Sequence, residues 1–195
     1  MGKRIFDLIL ATAGLLLTWP LLVFSFVAIK LDDGGPWLFR QIRIGRAGRP
    51  FQILKIRTMR PHAAGPSVTA RGDPRVTRVG HWLRQTKLDE LPQLWNVLVG
   101  EMSMVGPRPE VPRYVEMYSP SQREVLRLRP GITDEASIEF RDEEKLLADA
   151  PEPEAFYIEH CIPRKIAINL AYARKASVAR DIGVILRTLM ALLQG

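Results

Sequence analysis

Cysteine is nearly absent: Cys161 stands alone among 195 residues, so no intramolecular disulfide can form and nothing marks an oxidising compartment. Beside Pro163, this thiol reads as packing rather than as a nucleophile. The three histidines, His62, His81 and His160, are too scattered for metal-ligand spacing, and His62 reads as a solvated side chain of a loop. Gly45 and Gly48 complete no dinucleotide fingerprint, and no Walker loop occurs. Aromatic residues make up only 8% of the chain. Between the apolar N-terminal run and residue 88 they are Trp37, Phe39, Phe51 and Trp82, without a stacking motif or a base-reading helix, which argues against nucleic-acid binding.

Charge is missing from one long stretch. Leu8 to Ile29 (LILATAGLLLTWPLLVFSFVAI) contains no ionisable residue, and at about 1.5 Å per residue a straight helix of this length reaches ~33 Å, enough to span a bilayer. No small-x-small cleavage site precedes Lys30-Leu31-Asp32-Asp33, so a removed signal peptide fits poorly. Pro20 lies mid-run, lacks an N–H, and would meet the carbonyl of Leu16 in an unbroken helix, which predicts a kink. Both flanks are basic, with Lys3 and Arg4 before the run and Lys30, Arg40, Arg43, Arg46 and Arg49 after it, so loop charge gives a span no orientation. Kinked span and re-entrant hairpin both remain open on these residues alone.

The length suits one domain plus an anchor. The net charge of +7 conceals an asymmetry: residues 1–88 hold 15 Lys and Arg against 4 acids, and residues 89–195 hold 13 against 17. A basic segment behind an apolar anchor faces anionic lipid, phosphate substrate or nucleic acid. A membrane-tethered nucleic-acid-binding or scaffold protein is the alternative class, weakened by the missing aromatics.

Leu38–Ile44 and Phe51–Arg57 read as a β-hairpin around a basic Gly-containing turn, with Lys55 and Arg57 near its end. Helical pattern resumes at Val79 and again after Asp89, where Leu91, Leu94, Trp95 and Leu98 follow helical spacing and Pro92 suits the first turn. Asp89 and Glu90 then lie at a helix start, where free N–H groups favour ionised carboxylates. Basic residues crowd before them at Lys55, Arg57, Arg84 and Lys87, and Arg108 follows in Gly106-Pro107-Arg108-Pro109. Carboxylates amid fixed cations suit phosphate chemistry. The tract Glu139–Glu154 reads as solvated helix and loop. Ala176–Leu193 places Val178, Ile182, Ile185, Leu186, Leu189 and Leu193 on one broad face, to be packed on the core or laid on a membrane surface.

The stretch KLDELPQLWNVLVGEMSMVGPRPE (87–110) and RPGIT (129–133), with KRIFD (3–7), the Pro-containing apolar run and KIRTM (55–59) upstream in the same order, resemble the bacterial sugar transferase family, the monotopic phosphoglycosyl transferases of small minimal-domain type. The resemblance covers nearly the whole chain. It implies an α+β, mainly helical fold: a re-entrant membrane helix broken at Pro20 over residues 1–31, then a catalytic domain over 32–195 with a short β-hairpin and amphipathic interfacial helices, with both ends of the membrane helix and the whole catalytic domain on the cytoplasmic face of the cell membrane. It implies transfer of a sugar-1-phosphate from a UDP-sugar to a polyprenyl phosphate, with release of UMP, to initiate glycoconjugate synthesis. Asp89 would be the nucleophile and a ligand of Mg2+, Glu90 its dyad partner. Arg108 is the candidate phosphate clamp, with Lys55, Arg57, Arg84 and Arg141 as further phosphate contacts. After GIT the chain reads Asp134-Glu-Ala-Ser-Ile-Glu-Phe-Arg141, unlike the family's usual Gln-Val-x-Gly-Arg ending apart from Arg141, which leaves donor recognition open. The family's Ser before the helix-breaking Pro is Trp19 here, so hydroxyl help at the kink must come from Thr18 or from water. Oligomeric state is open, a homodimer included.

Overall fold

The computed structural model describes residues 2–61 and 72–193; His62 falls outside them. The chain opens on α1 (Gly2–Asp32). The hairpin strands β1 (Leu38–Ile44) and β2 (Pro50–Ile56) pair antiparallel, from Leu38 opposite Ile56 to Ile44 opposite Pro50. α2 (Arg78–Gln85), a 3-10 turn (Leu88–Glu90) and α3 (Gln93–Val99) follow. Two short strands, β3 (Ser103–Val105) and β4 (Gly131–Thr133), pair in parallel around α4 (Pro112–Glu116). The C-terminal part adds α5 (Glu135–Glu139), α6 (Glu143–Ala148), α7 (Pro153–Phe156), a π turn into α8 (Ile162–Ala173), and α9 (Val178–Leu193). The expected mainly helical α+β chain with one hairpin is what forms. The three-residue pair β3 and β4 was not expected.

Along β2, alternation sends Phe51, Ile53 and Lys55 to one face. Phe51 and Ile53 are buried against Leu94 and Val97 of α3, so the same packing carries the Lys55 ammonium to the turn that precedes α3. The open edge of β2 is closed by a side chain: Asn96 donates to the Gln52 carbonyl (2.8 Å) and accepts from the Leu54 N–H (3.1 Å). An edge strand with satisfied backbone groups offers no template for further pairing.

Pro20 does not divide α1. The helix runs through it from Gly2 to Asp32, and the Thr18 hydroxyl donates to the Gly14 carbonyl one turn back (2.7 Å). Its inner stripe packs on the domain: Ala11 is fully buried, and Gly14 lies so near Leu94 that a Cβ would stand 3.0 Å from Leu94 Cδ1. Its outer surface, including Leu16, Leu17, Trp19 and Phe24, is exposed, on a helix long and apolar enough to cross a membrane.

Both ends of α1 are fastened to the same domain. At the start, buried Asp7 accepts from Ser103 Oγ (2.9 Å) and the Met104 N–H (3.0 Å). Arg4 donates to the carbonyls of Val97 (2.6 Å) and Leu98 (2.8 Å) at the C-terminus of α3, where the Val97 carbonyl also accepts from the Gly100 N–H (3.1 Å). Lys3 pairs with Asp181, a fully buried carboxylate of α9 that also accepts from the Tyr172 hydroxyl. At the far end, Trp37 Nε1 donates to Ser25 Oγ (3.1 Å), and Ile29 packs with Ile56 and Leu83.

The second core lies under α4, α8 and the turn from α7, with Tyr114, Val115, Leu147, Ile162 and Ile166 buried together with Cys161, the packing role expected of that thiol. α9 divides the face read from the sequence. Val184 is buried against Val105 and Tyr172, while Ile182, Leu186, Leu189 and Met190 stay exposed, so one helix serves the core and presents an apolar outer surface.

The β3 and β4 pair depends on two glycines in backbone contact. A Cβ on Gly131 would sit 2.1 Å from the Gly106 nitrogen, and one on Gly106 would sit 2.3 Å from the Arg129 carbonyl oxygen. Gly131→Ala should therefore lower stability by about 1–3 kcal/mol through overpacking. Gly183→Ala, in α9 with open space around the new methyl, should keep or gain stability, since Ala is the better helix former. Thermal unfolding of the two purified variants in detergent checks the contrast; equal melting temperatures would contradict this packing.

Candidate active site

The two acidic residues singled out in the sequence fall in the 3-10 turn Leu88–Glu90, two residues before α3 and not in its first turn. Lys87 opens that turn with a left-handed backbone, φ 55°, which reverses the chain after α2 and aims the acids inward. Both are nearly buried, 7% exposed for Asp89 and 9% for Glu90. Neighbours in sequence, they have opposite surroundings.

Glu90 gathers the cations. Lys55 Nζ donates to Glu90 Oε1 at 3.0 Å, and Arg108 donates through Nη2 to Oε1 at 2.6 Å and through Nη1 to Oε2 at 3.3 Å. Burial alone would raise this carboxyl, but Arg108, Lys55 and Lys87 outweigh it and hold Glu90 well below the usual carboxylate range. Arg108 is in turn pushed above its ordinary value by Glu90. Lys55 is pushed down by desolvation, against the pull of Glu90.

Asp89 is left with an oxygen to spare. Its Oδ1 is buried and has no hydrogen-bond partner. Desolvation first, then the adjacent Glu90 charge, push its carboxyl above the ordinary range, only partly offset by Lys55, Lys87 and Arg108. One residue of the pair is the anchored anion and the other carries unsatisfied acceptor capacity. That division suits a carboxylate kept for an incoming electrophile or cation.

Arg108 is held by its backbone as well as its fork. Its N–H donates to Asp134 Oδ2 (3.0 Å). The buried Asp134 also caps α5 through Ser137 and accepts from Asn169 Nδ2 (2.8 Å). Arg43 donates to the Pro109 carbonyl (3.1 Å) and stands 3.7 Å from Glu110, whose Oε1 accepts from the Tyr157 hydroxyl (2.9 Å). Sequence reading missed Asp134 and Arg43 as supports of the Arg108 loop. Asp134 followed by Glu135 at a helix start carries a capping signature; nothing in the sequence points Arg43 at a loop more than 60 residues away.

Of the phosphate contacts expected from the sequence, Lys55 and Arg108 meet at the acidic pair. The other three engage elsewhere. Arg57 binds Asp33 (Nη1 to Oδ2, 2.6 Å) and the Met59 carbonyl (2.8 Å), tying the end of β2 to the end of α1. Arg84 donates to Thr58 Oγ1 (2.9 Å) and lies 3.6 Å from Glu144. Arg141 is half-exposed, 3.6 Å from Asp142.

Among the described residues no group of three His, Cys, Asp or Glu side chains converges as a metal cage. The donor set fits a different mode, in which Mg2+ takes one carboxylate and completes its shell with substrate phosphate and water. The unpartnered Asp89 Oδ1 can serve as that carboxylate.

The contrast within the pair fixes two opposite stability effects. The Asp89 pKa is raised on folding, so its contribution is favourable at low pH and is lost as pH rises through the folded value. Asp89→Asn should thus leave stability at pH 7 unchanged or increased. The Glu90 pKa is depressed, so its contribution holds above the unfolded value and disappears as pH falls through the folded one. Glu90→Gln should cost about 3–5 kcal/mol at pH 7 by leaving buried cations unmatched. Melting temperatures of the two variants at pH 7 test this, and equal losses would contradict it.

The sequence matches the bacterial sugar transferase family over residues 1–195. A UDP-glucose:undecaprenyl-phosphate glucose-1-phosphate transferase of Caulobacter vibrioides is 42% identical over 198 residues, covering 99% of this chain and 70% of the relative. A protein of the same description from Escherichia coli K12 is 38% identical over 95% of this chain, which spans only 39% of that relative's length. A putative undecaprenyl-phosphate N-acetylgalactosaminyl 1-phosphate transferase of Bacillus subtilis is 42% identical over 67% of this chain and 70% of its own. With its apolar α1, its hairpin and its buried acidic pair, the chain belongs to the bacterial sugar transferase family.

Proposed function

We propose that this protein transfers a sugar-1-phosphate from a UDP-sugar to undecaprenyl phosphate by way of a covalent intermediate on Asp89. The observation that carries the reading is the split between the two acids: Glu90 holds Lys55 and Arg108, while Asp89 keeps a buried oxygen without a partner. The relatives' names supply the donor and acceptor classes. They differ in the sugar, glucose in one and N-acetylgalactosamine in another, so the donor sugar is left to experiment.

In the first step an Asp89 carboxylate oxygen attacks the phosphorus that bears the sugar. A P–O bond forms to Asp89, the P–O bond to the nucleotide breaks, and its electron pair leaves on UMP. In the second step a phosphate oxygen of the lipid attacks the same phosphorus and displaces Asp89, which returns as carboxylate while the sugar is carried off on a lipid diphosphate. Arg108 is 41% exposed at its side chain while bound to Glu90, so its fork has N–H groups left for a phosphate. Glu90 keeps Arg108 and Lys55 charged and in place, which pre-organises them toward charge that develops at phosphorus. Bound Mg2+, held by Asp89 and the diphosphate, would supply Lewis-acid screening of the anionic donor.

We also assign both ends of α1 to the cytoplasmic face. A straight helix of 31 residues would extend about 46 Å, yet its first turns bind Val97, Ser103 and Asp181 and its last turns bind Trp37 and Ile56. If its ends stood on opposite sides, charged parts of one domain would be carried into hydrocarbon. A helix that enters and returns with its domain avoids that cost.

Asp89→Asn should fold and lose UMP release by several orders of magnitude, because no other group replaces the attacking oxygen. Wild type incubated with donor and no lipid acceptor should carry a phosphosugar on the peptide containing Asp89, seen by mass spectrometry after rapid quenching. Full turnover by Asp89→Asn, in a preparation free of wild type, would refute the covalent route.

For the topology, single cysteines at Gly2 and Gly34, introduced with Cys161 replaced by Ser, should both react with an impermeant maleimide in inside-out vesicles and neither in intact spheroplasts. Labelling from opposite sides would establish a span.

A further inference from the structure

A cleft of about 420 Å3 opens at the Gly106-Pro107 turn, with neither Asp89, Glu90 nor Arg108 in its lining. Its cationic side chains are Lys3, Arg4, Arg46, Arg127 and Arg129, and its one carboxylate is Asp7. Two of these cations are matched, Lys3 by Asp181 and Arg127 by Glu124. Arg4 and Arg46 bond only backbone carbonyls, those of Val97, Leu98 and Arg127. Arg129 makes no hydrogen bond or ion pair among the described residues. Desolvation and the neighbouring Arg4 and Arg46 charges push it below its ordinary value. Three guanidiniums without carboxylate partners against Asp7 leave a local excess of two positive charges, and Asp7 is already satisfied by Ser103 and Met104. Like charges held together in a cleft cost energy unless an anion joins them. A phosphate monoester carries about −1.5 to −2 at pH 7.

The rest of the lining includes Val105 and Leu128, Tyr172 and Ala173 at the end of α8, and Ala176 just beyond it. The cleft also lies at the start of α1, where Leu8, one turn beyond Arg4 on the same face, and then Ile5 and Ile9 are exposed. A cationic rim beside an apolar wall matches an amphiphile better than a free ion.

We infer that this cleft binds the phosphate head group of a membrane lipid, with Arg129, Arg46 and Arg4 around the phosphate and the first part of the apolar chain along the α8 wall. The acidic pair is not part of its lining, and the two are linked through the turn in which Pro107 lines the cleft and Arg108 bonds Glu90. It does not depend on Asp89 being the nucleophile.

The test titrates the full chain, purified in a neutral detergent, with decyl phosphate below its micellar concentration, and with inorganic phosphate and decanol as separate arms, by calorimetry. Decyl phosphate should bind at least about tenfold more tightly than inorganic phosphate, and decanol should show no saturable binding. Arg129→Gln and Arg46→Gln should each weaken decyl phosphate by about tenfold or more, the loss of one hydrogen bond to a charged group, with Arg129→Lys intermediate. Should Arg129→Gln lose its helical circular dichroism, Arg46→Gln carries the comparison. Arg108→Gln should leave this binding in place. Equal affinity for inorganic phosphate would overturn the lipid assignment. Loss of binding in Arg108→Gln but not in the Arg129 or Arg46 variants would place the phosphate at the acidic pair and overturn the site.

Discussion

Everything around the candidate site converges on one carboxylate. Glu90 takes Lys55 from the hairpin and Arg108 from the loop after β3, two segments separated by more than fifty residues that share no strand pairing. The pair of contacts is buried, so each partner would be costly alone, and together they close. Because Glu90 absorbs the positive charge, Asp89 next to it is left repelled, desolvated and unpartnered. Reactivity in one residue is a by-product of stability in its neighbour.

The cost of such a centre is met by ordinary packing at a distance. Phe51 and Ile53 press β2 on α3 and thereby set the height of Lys55. Asp134 holds the Arg108 backbone while capping α5. Arg43 holds the Pro109 carbonyl. These supports fix the segments that carry Lys55 and Arg108, which is how a site reaches the tolerance that phosphate chemistry needs.

The hairpin was legible because strand alternation and a glycine-containing turn are local signals, and the Asp89-Glu90-Arg108 set was legible because the residue types suit one chemistry. Arg57, Arg84 and Arg141 were expected at the same centre because sequence proximity to a motif says nothing about direction. Arg57 is at the far end of the strand from the turn, and Asp33 of the α1 exit claims it. The 3-10 turn could not be read either, since Pro92 is compatible with a helix that starts at Asp89 as well as with one that starts later. β3 and β4 are too short for periodicity, and only the near-contact of Gly106 with Gly131 reveals why those two glycines stand where they do.

The latch between Lys3 and Asp181 spans 178 positions of sequence. During synthesis α1 emerges and meets lipid long before α9 exists, so for most of translation its basic end is without the acid that will hold it. The buried Asp181, once made, finds its cation already present at the start of α1. A chain that stops short of α9 would lack this one partner for Lys3, while Arg4 and Asp7 would still tie the first turns of α1 to α3 and β3.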